Sequence, residues 1–409
     1  MRPRALFVDH VGALGGAELA LIDLAKAYRD TSTVVLLADG PLRERLAADG
    51  VTVRVIEGGR ALHDIRRETP RPSLRAAVRV LELAWQLARL ARRHDFLHAN
   101  SQKAFVVACL AGLLARRPVI WELHDVLSPA HFSRLNIRLG IALANRFAAR
   151  VIANSHATAS ALIEQGGRRE RVRIVYNGID PARFDAVTDS QVEAARRELG
   201  LDGAPVIGVF GRLAEWKGQH VALDALSELA GVQLLLVGEA LFGEEDYAGA
   251  LRRRSRTLGV ADRVHFLGFR PDVPILMRLV QVVLHTSTAP EPFGRVIVEG
   301  MLARRPVIAT RAGGVSEILE DGVTGLLVQP GQVSELVGAV DALLANPARA
   351  ELLAAAGRAA AERKFTVQAM VDGVTSAVEE VVRARHSALG RAGLHPPLQH
   401  SAGEETSGR

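Results

Sequence analysis

The sequence predicts an α/β protein with two doubly wound domains, each built on a parallel sheet. Short apolar runs alternate with helix-length segments along most of the 409 residues, as in parallel sheets that helices cover on both faces. The alternation pauses in NGIDPARFDAVTD (177–189), whose Gly, Pro and Asp residues indicate a linker. It then restarts, so the chain divides into two parts of similar size.

The first predicted domain covers residues 1–186. Its first strand is ALFVD (5–9), which leads through a glycine-rich turn into a helical pattern from Ala17 to Tyr28. Further strands are predicted near 33–38, 51–56, 95–98, 118–123, 150–153 and 172–175, with helices over 41–49 and 73–93.

The second predicted domain covers residues 187–364. Its strands are predicted near 205–210, 232–238, 264–269, 282–286, 306–310 and 325–328, and two helices follow near 332–345 and 347–363. A last helix over 365–386 is expected to return to the first domain. The final segment, 387–409, is dominated by Gly, Pro, Ser and Glu and is predicted to be a disordered tail.

The composition favours a soluble, cytoplasmic enzyme. A single cysteine, Cys109, excludes an internal disulfide, and Asp9 and His10 interrupt the first apolar run before it can act as a signal peptide. The longest apolar run, 104–115, is too short to cross a bilayer. Aromatic residues make up only 4% of the chain, so we expect no nucleic-acid partner that stacks its bases on aromatic platforms.

A cluster of arginines stands beside apolar residues in and before the predicted helix over 73–93. This amphipathic pattern suits peripheral association with an anionic membrane surface. A helix that simply packs on its own domain is the more common alternative, and the sequence leaves both interpretations open. The basic residues are Arg66, Arg67, Arg71, Arg75 and Arg79, and the apolar ones are Leu74, Val78, Leu81 and Trp85.

Candidate ligand-binding residues follow the predicted strands, because open parallel sheets bind ligands beyond the carboxyl ends of their strands. Gly15 and Gly16 precede the first helix, where free N–H groups attract a phosphate. A plain strand-to-helix turn would look similar, and the spacing is not the dinucleotide-binding G-x-G-x-x-G. In the second domain, Arg212 and Lys217 follow the first strand and suit a diphosphate.

The segment 282–310 carries the densest group of polar candidates. Glu291 stands in a polar loop, and Glu299 lies about one turn inside the helix that follows. Carboxylates accept hydrogen bonds from sugar and ribose hydroxyls, and amides at a helix start can hold a phosphate oxygen. A further glycine turn at 313–314 precedes Glu317 at another helix start.

With these motifs in order, the sequence resembles a retaining glycosyltransferase of family 4, the glycosyltransferase group 1 type. The resemblance extends to about residue 386, and its most specific mark is the Glu-x7-Glu pattern from Glu291 to Glu299. It implies the GT-B fold, in which two Rossmann-like domains face an interdomain cleft. The motifs are GGAE, YNGID (176–180), GRLAEWKG, LLLVGE (234–239), FLGF (266–269) and EPFGRVIVE.

The resemblance also implies roles around a nucleotide-sugar donor. Arg212 and Lys217 would neutralise the diphosphate during catalysis, Glu291 would hold the transferred sugar, and Glu299 would bind the ribose hydroxyls. The remaining donor-binding positions are Gly15 and Gly16 beside the phosphates and sugar, the amides of Phe293, Gly294 and Arg295 on the sugar, and the backbone of Gly268, Phe269 and Arg270 along the base.

His124, in WELHD, matches the family's histidine near the reacting sugar and is the fourth catalytic candidate, although a structural histidine at a strand end is the alternative. His10, His98 and His285 also lie near strand ends as background candidates. Because no D-x-D pattern occurs, we expect no metal or other cofactor, and fixed cations and amides would stabilise the departing diphosphate. Two-carboxylate glycosidase chemistry is set aside because both glutamates are assigned to donor hydroxyls.

The expected reaction transfers a hexose or N-acetylhexosamine from a nucleotide sugar to a hydroxyl acceptor with retention of configuration. Family frequency favours UDP over GDP. The acceptor is a lipid-linked saccharide, a polysaccharide intermediate or a small metabolite, and a lipid-linked one would bring the enzyme to the inner membrane face. Two alternatives stay open, a sugar-nucleotide epimerase of the same fold and a non-catalytic nucleotide-sugar-binding module. Donor binding is expected to draw the two domains together.

Overall fold

The structure, a computed structural model, describes residues 2–56, 74–129, 132–201, 203–241 and 243–391. The described residues form two parallel sheets, which confirms the predicted fold class. The first sheet has the strand order β3-β2-β1-β4-β5-β6-β7. Its strands are β1 (Ala5–Asp9), β2 (Ser32–Leu36), β3 (Val53–Val55), β4 (Phe96–Ala99), β5 (Val119–Leu123), β6 (Ala148–Ala153) and β7 (Val172–Ile174).

Helices cover both faces of the first sheet, because its central strands are apolar on both sides and must be shielded from water on both. The last helix of the chain packs with α1 on one face, and α3, α4 and α5 share a core with the other face. The helices of this part are α1 (Gly16–Ala27), α2 (Pro41–Ala48), α3 (Leu74–Ala91), α4 (Gln102–Ala115), α5 (Arg134–Phe147) and α6 (His156–Glu164).

The second sheet repeats the design with the order β10-β9-β8-β11-β12-β13. Its strands are β8 (Val206–Phe210), β9 (Gln233–Val237), β10 (Val264–Gly268), β11 (Val282–His285), β12 (Val307–Thr310) and β13 (Leu326–Val328). Its helices are α7 (Ala182–Asp185), α8 (Asp189–Glu198), α9 (Gln219–Glu228), α10 (Glu245–Thr257), α11 (Val273–Leu279), α12 (Arg295–Leu302), α13 (Val315–Ile318), α14 (Val333–Leu344) and α15 (Pro347–Lys364).

The chain crosses between the two parts twice, and the crossings pair with each other. Ile179 forms a parallel bridge with Thr366, and its amide donates to the Phe365 carbonyl at 2.9 Å. Beyond this point α16 (Val367–Arg391) returns to the first domain, where Met370, Val374 and Val378 are buried. The return predicted for the last helix is therefore present.

Two boundaries differ from the sequence expectation. The interpreted linker over 177–189 contains α7, and α16 continues to Arg391 rather than ending near 386. The part of the predicted tail from 392 onward lies outside the described residues, as do residues 57–73 and the side chains of Leu74 and Arg75, so the arginines Arg66, Arg67 and Arg71 are not described. Within the described ranges, every helix is too short or too polar to span a bilayer.

Each sheet reverses its strand order at one place, between β1 and β4 in the first and between β8 and β11 in the second. Loops that leave neighbouring strands at such a point diverge to opposite faces and open a crevice at the carboxyl edge of the sheet. Residues after β1, β4, β8 and β11 are thereby positioned for ligand binding, and these are the segments that hold most of the sequence candidates.

Candidate functional site

Lys217 and Glu291 form an ion pair at the carboxyl edge of the second sheet. Lys217 Nζ lies 2.9 Å and 2.7 Å from the two carboxylate oxygens of Glu291. Lys217 ends a single 3-10 turn that leads from β8 to α9, and its ammonium lies 4.2 Å from the centre of the Trp216 ring. The structure thus brings together two residues, 74 positions apart in the chain, that the sequence had assigned to one donor site.

Further polar groups hold the Glu291 carboxylate in place. His285 Nε2 and Ser287 Oγ each lie 3.1 Å from Glu291 Oε2, and Thr310 Oγ1 donates to the Ser287 carbonyl at 2.8 Å. Burial opposes ionisation of Glu291, but the charge of Lys217 and the hydrogen bond from His285 hold its pKa well below the ordinary value. Glu291 is therefore an anion at neutral pH, able only to accept hydrogen bonds.

Glycines let the backbone close tightly around Glu291. Gly313 pairs with Glu291 at φ +66°, and a β-carbon on Gly313 would lie 2.2 Å from the Glu291 carbonyl oxygen. Gly294 has φ +103° and directly precedes α12, whose first-turn amides point out of the helix start. The Phe293 side chain is buried against Tyr176 and Phe365, which leaves its amide as the group suited to a ligand.

Three more predicted donor residues lie on the segments that carry this pair, after β8 and in α12. Arg212 follows β8, and its carbonyl accepts from Gln219 Nε2 at 2.9 Å. Glu299 lies in the second turn of α12 and is partly buried. Arg295 is nine-tenths buried and reaches the first domain, where its Nη1 donates to the Gly178 carbonyl at 3.3 Å. Arg295 thus touches both domains in addition to offering the amide predicted from the sequence.

The predicted base-binding strip lies at the end of β10. Gly268 has φ +65°, and its carbonyl accepts from the Gly238 amide at 2.8 Å. The Phe269 side chain is 60% exposed, which leaves its ring face accessible. The Arg270 guanidinium is held by Asp272 and Glu198 at 2.7–2.8 Å, so the backbone rather than this charge is the part of Arg270 suited to a base.

In the first domain, Gly15 precedes α1 as predicted, whereas Gly16, expected before the helix, is its first residue. Gly15 is the residue before the helix, and the Cα of Gly16 faces Arg295, whose Cδ would lie 3.4 Å from an added β-carbon. The turn therefore faces the second domain across the cleft. Burial, and then the negative charge of Asp9, raise the pKa of the adjacent Glu18 to about 8.

His124 belongs to a buried polar chain at the mouth of the first sheet. His124 Nε2 lies 3.0 Å from Asn100 Oδ1, and Asn100 Nδ2 donates to Asp9 Oδ2 at 2.6 Å. Glu122 lies 3.7 Å from His124 and 2.5 Å from His98. Burial opposes ionisation of Glu122, but the attraction of His124 and the hydrogen bond from His98 lower its pKa. The chain fixes the His124 ring at the cleft.

Sequence reasoning missed the contacts that join the two domains. Glu317 accepts hydrogen bonds from the amides of His156 and Ala157, each at 2.8 Å, at the start of α6 in the first domain. Ser155 Oγ donates to the Pro292 carbonyl at 2.5 Å. The glycine turn before Glu317 indicated a helix start, but nothing local in the sequence shows that its carboxylate caps a helix of the other domain.

A cavity of about 550 Å³ lies away from this cleft. It is bounded by the start of β11, the residues just before β12 and the helices α14 and α15, with Leu343 and Arg358 among its walls. Because it opens at the amino edge of the second sheet, where parallel sheets do not bind their ligands, we place the candidate site at the interdomain cleft instead.

Two family models match the two halves of the chain. Residues 14–183 match Glycosyltransferase Family 4, and residues 191–363 match Glycosyl transferases group 1. Among solved structures, the Anabaena protein Alr3699/HepE in complex with UDP-glucose is 41% identical to this chain, with a TM-score of 0.85. That match covers 92% of this chain and 100% of the Anabaena chain.

Two curated relatives at 30% identity or more match over shorter stretches. The chain is 31% identical over 222 residues to a lipopolysaccharide core biosynthesis glycosyltransferase, LpsE, of Rhizobium meliloti, covering 54% of this chain and 62% of the relative. It is 35% identical over 212 residues to the 2-deoxystreptamine glucosyltransferase of Streptomyces kanamyceticus, covering 50% of this chain and 53% of the relative. These matches therefore span less than two thirds of either relative.

Proposed function

The chain belongs to the glycosyl transferases of group 1, family 4, and from this premise we propose that it transfers a sugar from a UDP-sugar to a hydroxyl acceptor. The observation that carries the proposal is the Lys217–Glu291 pair, which presents a cation and a carboxylate at one edge of the cleft. The solved complex of the Anabaena relative with UDP-glucose supports the choice of UDP. The transferred sugar is a hexose or an N-acetylhexosamine.

The proposed site divides the donor among groups of matching chemistry. Arg212, Lys217 and the amides at the start of α12 face the diphosphate, whose negative charge grows as the bond to the sugar breaks. The anionic Glu291 accepts hydrogen bonds from the hydroxyls of the transferred sugar, and Glu299 accepts them from the ribose. Gly15 and Gly16 close over the phosphates from the first domain.

The reaction proposed at this site retains the anomeric configuration and needs no metal. The acceptor oxygen forms the new bond to the anomeric carbon on the face from which the diphosphate leaves, and the leaving phosphate oxygen takes the acceptor proton. Each fixed donor aimed at that phosphate contributes about 2.7–4 kcal/mol to the transition state. His124 orients the reacting sugar or the acceptor hydroxyl from the opposite wall of the cleft.

The acceptor is proposed by class only, as a lipid-linked saccharide, a polysaccharide intermediate or a small metabolite. A cytoplasmic location, with membrane association through the helix that begins at Leu74, is part of this proposal. The Rhizobium relative is named for lipopolysaccharide core biosynthesis and supports a lipid-linked acceptor, whereas the Streptomyces relative is named for 2-deoxystreptamine glucosylation and supports a small acceptor.

Two measurements test the proposal. A thermal-shift screen with UDP-, GDP-, ADP- and TDP-sugars identifies the donor, because a ligand that binds only the folded state raises the apparent stability. Release of UDP from the best donor is then measured with and without acceptor. Transfer requires an acceptor product, whereas an epimerase would change the donor without one, and a binding module would leave it intact.

The decisive variant is Glu291→Gln, which keeps the size of the side chain and removes its charge. We expect UDP release to fall about 100-fold, since a hydrogen bond to a charged group contributes about 1.5–3 kcal/mol. Glu228→Gln, at the far end of α9 from the cleft, is the matched control and should keep full activity. A folded Glu291→Gln protein with wild-type turnover would contradict the assignment.

A further inference from the structure

Three helices of the first domain lie side by side on one face of its sheet. Buried residues of α3, α4 and α5 share a single core cluster with the strands beneath them, and α4 packs against both of its neighbours. Their unburied sides therefore all point away from the sheet in the same direction. We call this surface the three-helix face.

Large apolar side chains are exposed on each of the three helices. Leu81 and Trp85 on α3 are 59% and 56% exposed, Leu113 and Leu114 on α4 are more than half exposed, and Leu135 and Leu139 on α5 are about half exposed. Single exposed leucines are ordinary, but a group of them on adjoining helices marks an interaction surface.

The charged side chains on the same helices are almost all basic. Their described side chains include one acidic residue, Glu82, and Arg89 lies 4.9 Å from the centre of the Trp85 ring. Long basic side chains of this kind lay their apolar stems along neighbouring apolar surface and keep their charge in water. The basic residues are Arg79, Arg89, Lys103, Arg134, Arg138 and Arg146.

We propose that the three-helix face docks on an anionic phospholipid bilayer. Protruding leucines and a tryptophan fit the boundary between headgroups and acyl chains, and the surrounding arginines fit the lipid phosphates. A nucleic acid would use the arginines but leave the leucines in water, and a protein partner would not need so uniform a charge. The bilayer accounts for both features of the face.

The position of this face relates it to the cleft. α3, α4 and α5 each begin on the carboxyl side of the first sheet, and α5 begins at Arg134, soon after His124 in the sequence. The end of the three-helix face at which these helices begin therefore borders the cleft on the side of the first domain, where the acceptor is proposed to bind. This link deepens the proposed function and rests on it, because a lipid-linked acceptor held at the bilayer would reach the cleft directly.

Flotation with vesicles tests the docking without any substrate. The full chain is mixed with vesicles of phosphatidylcholine alone, or of phosphatidylcholine with phosphatidylglycerol. We expect flotation with the anionic vesicles and release from them at high salt, because screening weakens the attraction of arginines to lipid phosphates. Bromine-labelled lipid should quench tryptophan fluorescence in the wild type and much less in Trp85→Phe. Absence of flotation with anionic vesicles would overturn the proposal and leave the transferase activity untouched.

Paired variants locate the surface. Arg134→Ala with Arg138→Ala should weaken vesicle binding about 25-fold, since each basic residue at an anionic surface contributes about fivefold. The double variant Leu81→Ser with Trp85→Ser should weaken vesicle binding more than the double arginine variant does. The control, Arg349→Ala with Leu352→Ser on α15, alters an equally exposed site in the second domain and should bind as the wild type does.

Two outcomes of the variant series would count against the bilayer. Equal loss in the control and the face variants would show that general charge, not this face, drives binding. A wild-type dimer in ultracentrifugation that becomes monomeric in Leu81→Ser with Trp85→Ser would assign the face to a second copy of the chain. Thermal unfolding of each variant near the wild-type temperature confirms that the comparison is between folded proteins.

Discussion

Single side chains at the cleft depend on partners that are distant in sequence. Glu291 and Lys217 are both visible in the motifs, but their ion pair exists only because β8 and β11 are neighbours in the sheet. Asn100 shows the limit of sequence reasoning. It bridges Asp9 and His124, yet an Asn after a predicted strand carries no sign of that role. Residue types at strand ends could be predicted, and their pairings could not.

Glu18 yields a prediction about pH. Its folded-state pKa of about 8 lies above the ordinary value near 4.5, mainly through burial and secondly through Asp9. An acid whose pKa is raised on folding destabilises the fold increasingly as pH rises from its unfolded pKa to its folded pKa. Glu18→Gln removes this titration. We expect its free energy of unfolding to exceed that of the wild type by about 2–4 kcal/mol at pH 8.

Urea denaturation at several pH values checks this expectation. The gain in Glu18→Gln should shrink towards pH 5, because the wild-type carboxyl is then protonated in the folded protein. Glu228→Gln, whose side chain is exposed, should show no pH-dependent gain. A constant difference between wild type and Glu18→Gln from pH 5 to pH 8 would show that the Glu18 pKa is ordinary.

Among the elements, the strands were predictable to within a few residues, while the short and irregular pieces were not. β2 was expected over 33–38 and spans Ser32–Leu36, because apolar residues continue past the last paired position. α7 was missed because its four residues are too few to show helical periodicity. α16 passes its expected end because no proline occurs before Pro396 and its last turns contain helix-forming Ala, Leu and Arg.

The start of α6 combines a helix cap with an interdomain bond, and this can be measured. Ser155 Oγ accepts from the Thr158 amide and donates to the Pro292 carbonyl of the other domain. Ser133 Oγ caps α5 in the same way within one domain. Ser133→Ala should lower the free energy of unfolding by about 1 kcal/mol, and Ser155→Ala by about 2 kcal/mol because a second hydrogen bond is lost. Thermal unfolding of both variants decides whether the interdomain bond contributes.

For the molecule as a whole, the paired crossings at Ile179 and Thr366 fix how the domains are joined. Gly178 lies at this junction, where an added β-carbon would come within 2.5 Å of the Thr366 carbonyl oxygen and the Val367 Cα. Gly178→Ala should therefore destabilise the protein by about 1–3 kcal/mol, as expected for overpacking against backbone.

The control for Gly178→Ala is the same substitution at Gly338, inside α14. An added β-carbon there meets nothing within 4 Å, so Gly338→Ala should stabilise the protein by up to about 1 kcal/mol through helix propensity. Chemical denaturation measures both changes. Equal effects of the two substitutions would show that the junction is not tightly packed.

Closure of the cleft is the large-scale prediction. Among the described residues, the polar contacts between the domains include Glu317 with α6 and Arg295 with Gly178, and the candidate donor groups lie on both walls. UDP should therefore draw the domains together. Small-angle scattering with and without UDP should show a smaller radius of gyration in the complex, and identical curves at saturation would exclude closure.

Because α16 ends in the first domain, that domain is built from two separate stretches of chain, and the second domain is an insertion between them. Expression of the N-terminal stretch alone would expose the apolar surface of the first domain against which Met370, Val374 and Val378 pack. We expect such a fragment to aggregate. The second domain, by contrast, can be excised by joining the chain near Gly178 directly to Thr366, since these residues already adjoin. A short linker at that junction would give the first domain as one continuous chain, and the excised second domain could then be expressed and studied separately.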